Sequence, residues 1–560
     1  MHYGTILFLL ACSFNAAKGA EAKLDAELKG LNSNQTVDVI ITYRNTPTEE
    51  HHHRVSARGG ELKENLDLIR AAHYSVPADQ LQALSGDADV EFIAPDRPVN
   101  ATANSAYTGS PDYGWRTVGA DLAGNVFALD GTGVGIALID SGTNNSNDLK
   151  DAQGKNRLVY QTSLVPNSDA SYHYGHGTHV SGILAGNGSQ SLAKNSTYWI
   201  RGIAPNANLI SIKVLDDTGV GTDSTVIAGI QLAIQLKSQY NIRVINLSLG
   251  RPVASSYLMD PLCQAVQKAW QAGIVVVVAA GNDGRGNSQN VGGYGTITAP
   301  GNSPYVITVG AMNTVGTASA ADDKVASYSS KGPTAIDHIV KPDLMAPGNR
   351  ILSINQGGTY FDHTYPQNDV ATEVYSATNS NSGSAYFMLS GTSMAAPMVS
   401  GAAALMAQQN PSLTPDQIKA RLMKTASKFA PGFSTATDAV TGITYTDEFD
   451  IFTVGAGYLN IPAALANTDV LTGPALSPTA TYNAATNTVV VGPSGTSASW
   501  GTGASWGTSA IWGTSVMMNG TSTVWGNNAS WGTSAIWGTN IVWAGRIGSE
   551  STTIAIQGDK

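Results

Sequence analysis

Cysteine is almost missing from this sequence: 560 residues contain two, Cys12 and Cys263. If the first 22 residues are removed, as argued below, one thiol remains and no disulfide can close within a single chain. Cys263 lies in a helix-like stretch, 261–270, and reads as a small buried apolar residue. Charge is scarce as well, at 13% of residues against about 25% in an ordinary soluble domain. The net charge is −10 and Lys and Arg form no cluster, so nucleic acid is excluded as a partner for want of groups that displace phosphate counterions. No membrane span is expected. Histidine stops early, with none after His363.

What is abundant is glycine, 60 residues, together with Ser, Thr and Asn, a composition that suits a loop-rich exported protein. Residues 5–14 form a short apolar run followed by Ala20-Glu21-Ala22, a small-residue cleavage pattern, so 1–22 is expected to be a secretory leader, although no Lys or Arg precedes the run. Residues 23–103 read as a small unit of their own. The pattern predicts a strand over 37–43, a helix over 61–72, a shorter helix over 78–83 and a strand over 90–93. His51, His52 and His53 follow two glutamates and read as a solvated loop, since three adjacent side chains cannot all converge on one ion. The link that follows, 95–104, is polar and interrupted by proline.

The middle of the chain alternates continuous apolar strands (133–140, 209–215, 244–249, 274–280) with helical patterns (225–236, 263–272). That alternation predicts an α/β domain with a doubly wound, mostly parallel sheet covered on both faces. Sites in such sheets form beyond the carboxyl ends of the strands. Asp140, Ser248 and Asn282 all stand at such ends.

The chain is organised around Leu-Ser-Gly-Thr-Ser-Met-Ala-Ala-Pro at 389–397, where Ser393 heads a helix made almost wholly of small residues. Orphan N–H groups and the positive dipole end favour developing negative charge there. Pro397 is placed in the first turn, where a missing N–H costs least. Taken alone, a Gly-x-Ser-x-Ala pattern is more simply a helix start capped by Thr392 or Ser393. An α/β-hydrolase elbow needs its histidine after the serine, and none follows Ser393. Upstream stand Asp140, ending a strand, and His176, in His-Gly-Thr-His at 176–179 entering a helix. The order is Asp, His, Ser.

These three segments, with Ala-Ala-Gly-Asn at 279–282, Lys-Pro-Asp-Leu-Met-Ala-Pro-Gly at 341–348 and Gly-Ala-Gly-Tyr-Leu-Asn at 455–460, resemble those of the subtilisin-type serine peptidases. The resemblance runs from about Asp140 to about Ala466. It implies Ser393 as nucleophile, His176 as general base, Asp140 as the group that orients the imidazole, Asn282 as a donor to the oxyanion, and Ser248, Leu249 and Gly250 as an edge that pairs with extended substrate. It makes His179 a structural residue. It also implies that 23–103 is a ferredoxin-like α+β inhibitory propeptide, cut within about 100–105 and acting in cis, ahead of a catalytic domain at 104–470. Partners are then protein or peptide substrates and the chain's own propeptide. No cofactor is required. Relatives often bind calcium, but Asp148, Asp151, Asp216, Asp217 and Asp223 lack a loop motif and read as solvated carboxylates, so no metal ligand is assigned. Two rivals stand beside this reading: a sedolisin-like peptidase, against which the His-Gly-Thr-His context speaks, and a non-catalytic binding protein on the same fold, against which the filled catalytic positions speak. Thr298 stands where relatives often carry glycine at the pocket base, which suggests a preference for medium apolar side chains. The Asn- and Tyr-rich stretch 354–388 is expected to rim the cleft.

Residues 471–560 carry seven of the ten tryptophans, at 500, 506, 512, 525, 531, 537 and 543. Spacings of six or thirteen around a Trp-Gly-Thr-Ser-Ala-Ile unit favour β structure, because six is a multiple of the strand period. The region is expected to fold back on itself as a β-rich repeat whose rings form its own core or pack on the catalytic domain, with glycan, cell envelope or another partner as the alternative occupant of the aromatic face. A chain ending near Thr472 is expected to keep peptide hydrolysis and lose some stability or localisation.

Overall fold

The computed structural model describes residues 23–492 except 34, 102–112, 170–172, 193–197, 287–291, 376–383, 430–431, 439–441 and 484–487, then four short strands between 499 and 524 and residues 556, 558 and 559. The leader, the greater part of the 100–105 window and all the repeat tryptophans but Trp500 lie outside the described residues.

The first unit is an antiparallel sheet. Strand β1 (Thr36–Tyr43) is followed by helix α1 (Glu49–Ser56), β2 (Glu61–Leu66), β3 (Ala71–Pro77) and β4 (Val90–Pro95), in the spatial order β2-β3-β1-β4. Alternation along β1 divides its burial: Val39, Ile41 and Tyr43 pack with Val55, Leu81 and Leu84 under the helices, while Ile40 joins Leu66 and Ile69 in the main core. Two expectations fail here. The predicted helix over 61–72 is β2 running into β3, because pairing with β3 outweighs the helix preference of Glu, Leu and Lys on an exposed edge. The histidines 51–53 lie in α1 and not in a loop. Thr48 caps that helix, its N–H donating to His51 Nδ1 at 3.1 Å, and His52 Nδ1 meets Tyr74 Oη at 2.8 Å, so the imidazoles diverge.

Strand β5 (Pro98–Ala101) leads away from this unit. The main body then contributes β6 (Gly135–Asp140), β7 (Leu158–Ser163), α2 (His176–Ala185), β8 (Asn208–Lys213), β9 (Val220–Thr222), α3 (Asp223–Gln235), β10 (Ile242–Leu247), β11 (Leu249–Gly250), α4 (Pro261–Gln271), β12 (Val275–Ala279), β13 (Ile307–Asn313), β14 (Lys324–Val325), β15 (Leu344–Pro347), β16 (Ile351–Ile354), β17 (Tyr386–Leu389) and α5 (Thr392–Gln409). Its sheet runs β14-β13-β12-β10-β6-β8-β7, with β15 also pairing β13 and every pairing but that of β14 parallel. The all-apolar β12, Val-Val-Val-Val-Ala, is buried along its whole length, as a strand covered on both faces must be. Helix α5 lies against β10, β12 and β13; its Ala and Gly residues permit the close approach, and Gly401 has no room for a Cβ beside Ile203.

The two units are joined by named contacts. The Asp96 carboxylate accepts from Ser224 N–H (2.8 Å) and Ser224 Oγ (2.7 Å) in the first turn of α3, where negative charge is favoured. Leu68 N–H donates to Gln231 Oε1 at 3.1 Å. The main core does not stop at residue 470. Ala475 and Ala480 belong to it, and Ser477 Oγ donates to Asp343 Oδ1 (2.6 Å) while accepting from the buried Lys419 ammonium (2.8 Å). Truncation near Thr472 therefore strips a partner from the buried Lys341–Asp343–Lys419 cluster, a larger loss than the sequence suggests. In the repeat, Ser499–Trp500 pairs antiparallel with Ala504–Ser505 and Ser515–Met518 with Thr521–Val524.

Candidate active site

Asp140 is the last residue of β6 and His176 the first of α2. They meet because Gly177 lets the helix reach the end of the strand: a Cβ there would stand 2.3 Å from the Gly142 carbonyl. His176 Nδ1–H donates to Asp140 Oδ1 at 2.8 Å, and the same oxygen accepts from Ser141 N–H at 2.7 Å. A carboxylate only accepts, so the bond fixes the tautomer and leaves the lone pair on Nε2. His176 Nε2 is buried and has no hydrogen-bond partner among the described residues. A buried unpaired acceptor is costly to maintain, and it is what a base awaiting a proton looks like.

Ser393 is the second residue of α5, which packs against α2. The cap is Gly391, at φ 150° and ψ 160°, and neither Thr392 nor Ser393 caps the helix with its side chain. Their hydroxyls are engaged elsewhere. Thr392 N–H and Oγ1–H both donate to Asn282 Oδ1 at 3.0 Å, which fixes the amide with Nδ2 as its other, donating end. Ser393 Oγ donates to the Ser248 carbonyl at 3.0 Å, and Ser248 Oγ returns a bond to the Ser393 carbonyl at 2.8 Å.

That last bond corrects the placement of Pro397. The helix begins at Thr392, so the proline is its sixth residue and lies inside it. Its missing N–H is the one that would have bonded the Ser393 carbonyl. Ser248 takes that carbonyl instead and is itself held by Asn246 Nδ2 (3.0 Å), whose Oδ1 accepts from Ser400 Oγ (2.8 Å). Sequence reading missed this buried line of donors beneath Ser393. The signal was available in Asn246 and Ser248, two apart on one strand face, and in Ser400, seven residues after Ser393.

Leu249 and Gly250 form an edge, and it is occupied by the chain itself. Ala101 pairs with Leu249 and Asn100 with Gly250, while the other side of β5 pairs with β9 through Pro98–Thr222, Val99–Gly221 and Asn100–Val220. Ser248 is not part of that ladder and serves under Ser393. The stretch after the small N-terminal unit thus lies extended as the central strand of a three-stranded antiparallel sheet.

The model of the subtilase family matches residues 131–456, more than half of the chain. The chain belongs to that family. It is 36% identical over 376 residues to serine protease AprX of Bacillus subtilis (strain 168), an alignment covering 66% of this chain and 77% of that protein. With subtilisin E of the same organism it shares 32% identity over 432 residues, 77% of this chain and 93% of the relative. Among solved structures, fervidolysin from Fervidobacterium pennivorans, a keratinolytic enzyme related to subtilisin, superposes with a TM-score of 0.56 at 22% identity, covering 80% of this chain and 64% of that one. That last likeness concerns the fold. The subtilase described here is a serine endopeptidase.

Other residues singled out in the sequence fall away from the chemistry. His179 of this subtilase is fully buried, with Nε2 donating to the carbonyls of Phe387 (3.0 Å) and Ile351 (3.2 Å) and so tying α2 to β16 and β17. Burial, and then the neighbouring His176, push it down to about 3 from an ordinary 6.5. The folded protein then binds fewer protons than the unfolded chain between those values. Stability from this group is whole above pH 6.5 and is lost on acidification, by up to about 1.4 kcal/mol per pH unit. In a His179→Gln variant, whose amide can still donate to the carbonyls, the urea midpoint should fall less steeply between pH 6.5 and 4 than in the parent protein.

Two carboxylates expected to be solvated are buried. Asp148 accepts from Tyr386 Oη (2.6 Å), Ser189 Oγ (2.8 Å) and Gln190 N–H (2.8 Å), and burial raises its pKa. Asp223 is held by Arg251, which also pairs with Asp260, all three enclosed. Their partners are far along the chain, which is why local motif reading left them on the surface. Asp216 and Asp217 keep part of their surface in solvent. Among the described residues, no group of three or more His, Cys, Asp or Glu is placed to hold a metal ion, and no helix is long and apolar enough to cross a membrane. Part of the 354–388 stretch packs beside the site: Tyr360 N–H donates to the His173 carbonyl (2.7 Å), and Phe361 lies against Tyr174, the second residue before His176. Cys263 is buried, and burial raises its thiol pKa well above the ordinary value, in keeping with a small buried residue.

Proposed function

We propose that Ser393, His176 and Asp140 form the catalytic triad of a secreted endopeptidase made as a self-processing zymogen. Ser393 attacks the scissile carbonyl, His176 Nε2 takes the proton and returns it to the leaving amine, and Asp140 holds the tautomer and balances the imidazolium. In this arrangement the Ser393 hydroxyl donates to the Ser248 carbonyl, and it must turn from that acceptor toward Nε2 before proton transfer. The observation that carries the reading is the Asp140–His176 bond, which leaves one buried basic nitrogen uncommitted on the helix that packs against α5.

Asn282 supplies a donor to the tetrahedral oxyanion, its orientation held by Thr392. Asn282→Ala should lower kcat on a small peptide substrate by about a hundred- to a thousandfold, the range seen for the equivalent donor in subtilisin, with KM little changed. A fall in affinity at constant kcat would assign Asn282 to substrate binding instead.

Residues 23–103 act as the inhibitory propeptide, and pairing of β5 with Leu249 and Gly250 supports this: Asn100 and Ala101, at the start of the 100–105 window, occupy the edge that an extended substrate would use. The leader at 1–22 supports export. Thr298 touches both Gly250 and Gly281, where a Cβ would approach its side chain to 2.5 and 2.8 Å, and so narrows the space between edge and oxyanion donor. Medium apolar side chains before the scissile bond follow. Incubation with an unfolded protein and with a peptide library tests the whole reading: cleavage abolished by a sulfonyl fluoride and favouring such residues is expected, and selection of arginine would refute the pocket assignment.

A further inference from the structure

Ile556, Gly558 and Asp559, which follow the tryptophan repeat, are buried against the main body. Asp559 is fully enclosed, and its carboxylate accepts from Arg285 Nη2, from Ser327 Oγ and from Ser327 N–H, each at 2.7 Å. Its main chain is read as well: Asp559 N–H donates to Asn349 Oδ1 at 2.9 Å, and Asn349 Nδ2 donates to the Asp559 carbonyl at 3.0 Å. Gly558, at φ +57°, lies so close that a Cβ would stand 2.5 Å from both Asn349 Oδ1 and Ser390 Oγ. Side-chain charge is thus checked by Arg285 and Ser327, main-chain polarity by Asn349, and the absence of a side chain by Asn349 together with Ser390, groups that come from separate parts of the body.

The pocket is costly when empty. Arg285 is also buried and pairs with Asp438, but without Asp559 its second nitrogen and the Ser327 N–H lose the partner shown here. We infer that this pocket is a peptide-docking site selective for a glycine followed by an acidic residue, filled in cis by Gly558 and Asp559, and that it fastens the repeat to the catalytic body at a second point. The first fastening is upstream, where Val340 N–H donates to the Pro478 carbonyl and Ala480 N–H to the His338 carbonyl, both at 2.8 Å. The repeat is then a loop closed at both ends and not a freely trailing tail. A cut within it would not release the segment beyond the cut.

The test uses the full chain carrying Ser393→Ala to prevent self-digestion, with a recognition sequence for a specific protease inserted between Gly548 and Glu550. The folded protein is nicked there and passed over a sizing column. The fragment containing 551–560 should co-elute with the body, and a synthetic peptide of that sequence should displace it in a saturable way. The same peptide with Asp559→Asn should compete at least tenfold more weakly. In nicked protein carrying Asp559→Ala the fragment should leave at least tenfold faster. Loss of the parent fragment as fast as the Asp559→Ala fragment, or equal competition by the two peptides, would overturn the proposal; the peptide comparison stands even if the Asp559→Ala chain does not fold.

Discussion

Ser393→Ala is expected to lose nearly all turnover, by about a millionfold, the loss measured for the matching serine of subtilisin. The size follows from the site: Ser393 and His176 act as one unit, and what remains after the hydroxyl is removed is substrate binding and the oxyanion donors alone. The backbone should be undisturbed, because the Ser393 carbonyl keeps its bond from Ser248, and a thermal midpoint near the parent's would show it. The same variant, produced without other proteases, should stay a single precursor chain. Cutting within 100–105 under those conditions would show that another enzyme performs the processing.

Asp140→Asn is the second large effect, a fall in kcat of about 10⁴ with KM nearly unchanged. The bond from Ser141 N–H and the packing of Gly177 against Gly142 keep the side chain in place, so the loss is electronic. A neutral amide does not balance the imidazolium, and its NH₂ can take His176 Nδ1 as an acceptor, which puts the proton on Nε2 where the lone pair is needed. Hydrolysis of a chromogenic peptide by both proteins measures it. A decrease below tenfold would mean that the Asp140–His176 bond is structural only.

Much of the body was legible because its strands are continuous apolar runs ended by polar residues. Asp140 and Asn282 could be placed at strand ends from the sequence alone, and the structure makes Asp140 the last residue of β6 and sets Asn282 three residues past the end of β12. What stayed hidden depends on partners distant in the chain. Glu61–Leu66 has helix-forming residues and becomes an edge strand because β3 pairs with it. Asp148 looks like a surface carboxylate until Tyr386 reaches it. Pro397 lies inside the helix and not in its first turn, and its tolerance there depends on Ser248, which stands 145 positions upstream of Ser393 and binds the carbonyl the proline leaves free. Asp559 gave no sign at all, since its partners Arg285, Ser327 and Asn349 lie more than 200 positions upstream.

The account rests on Ser393 being activated by His176. A fluorophosphonate probe, which phosphonylates only an activated serine, tests this without knowledge of the natural substrate. After reaction and digestion, mass spectrometry should find one adduct, on Ser393, formed at least a thousandfold more slowly in a folded His176→Ala variant. An adduct on a different residue, or labelling of Ser393 at the same rate without His176, would contradict it.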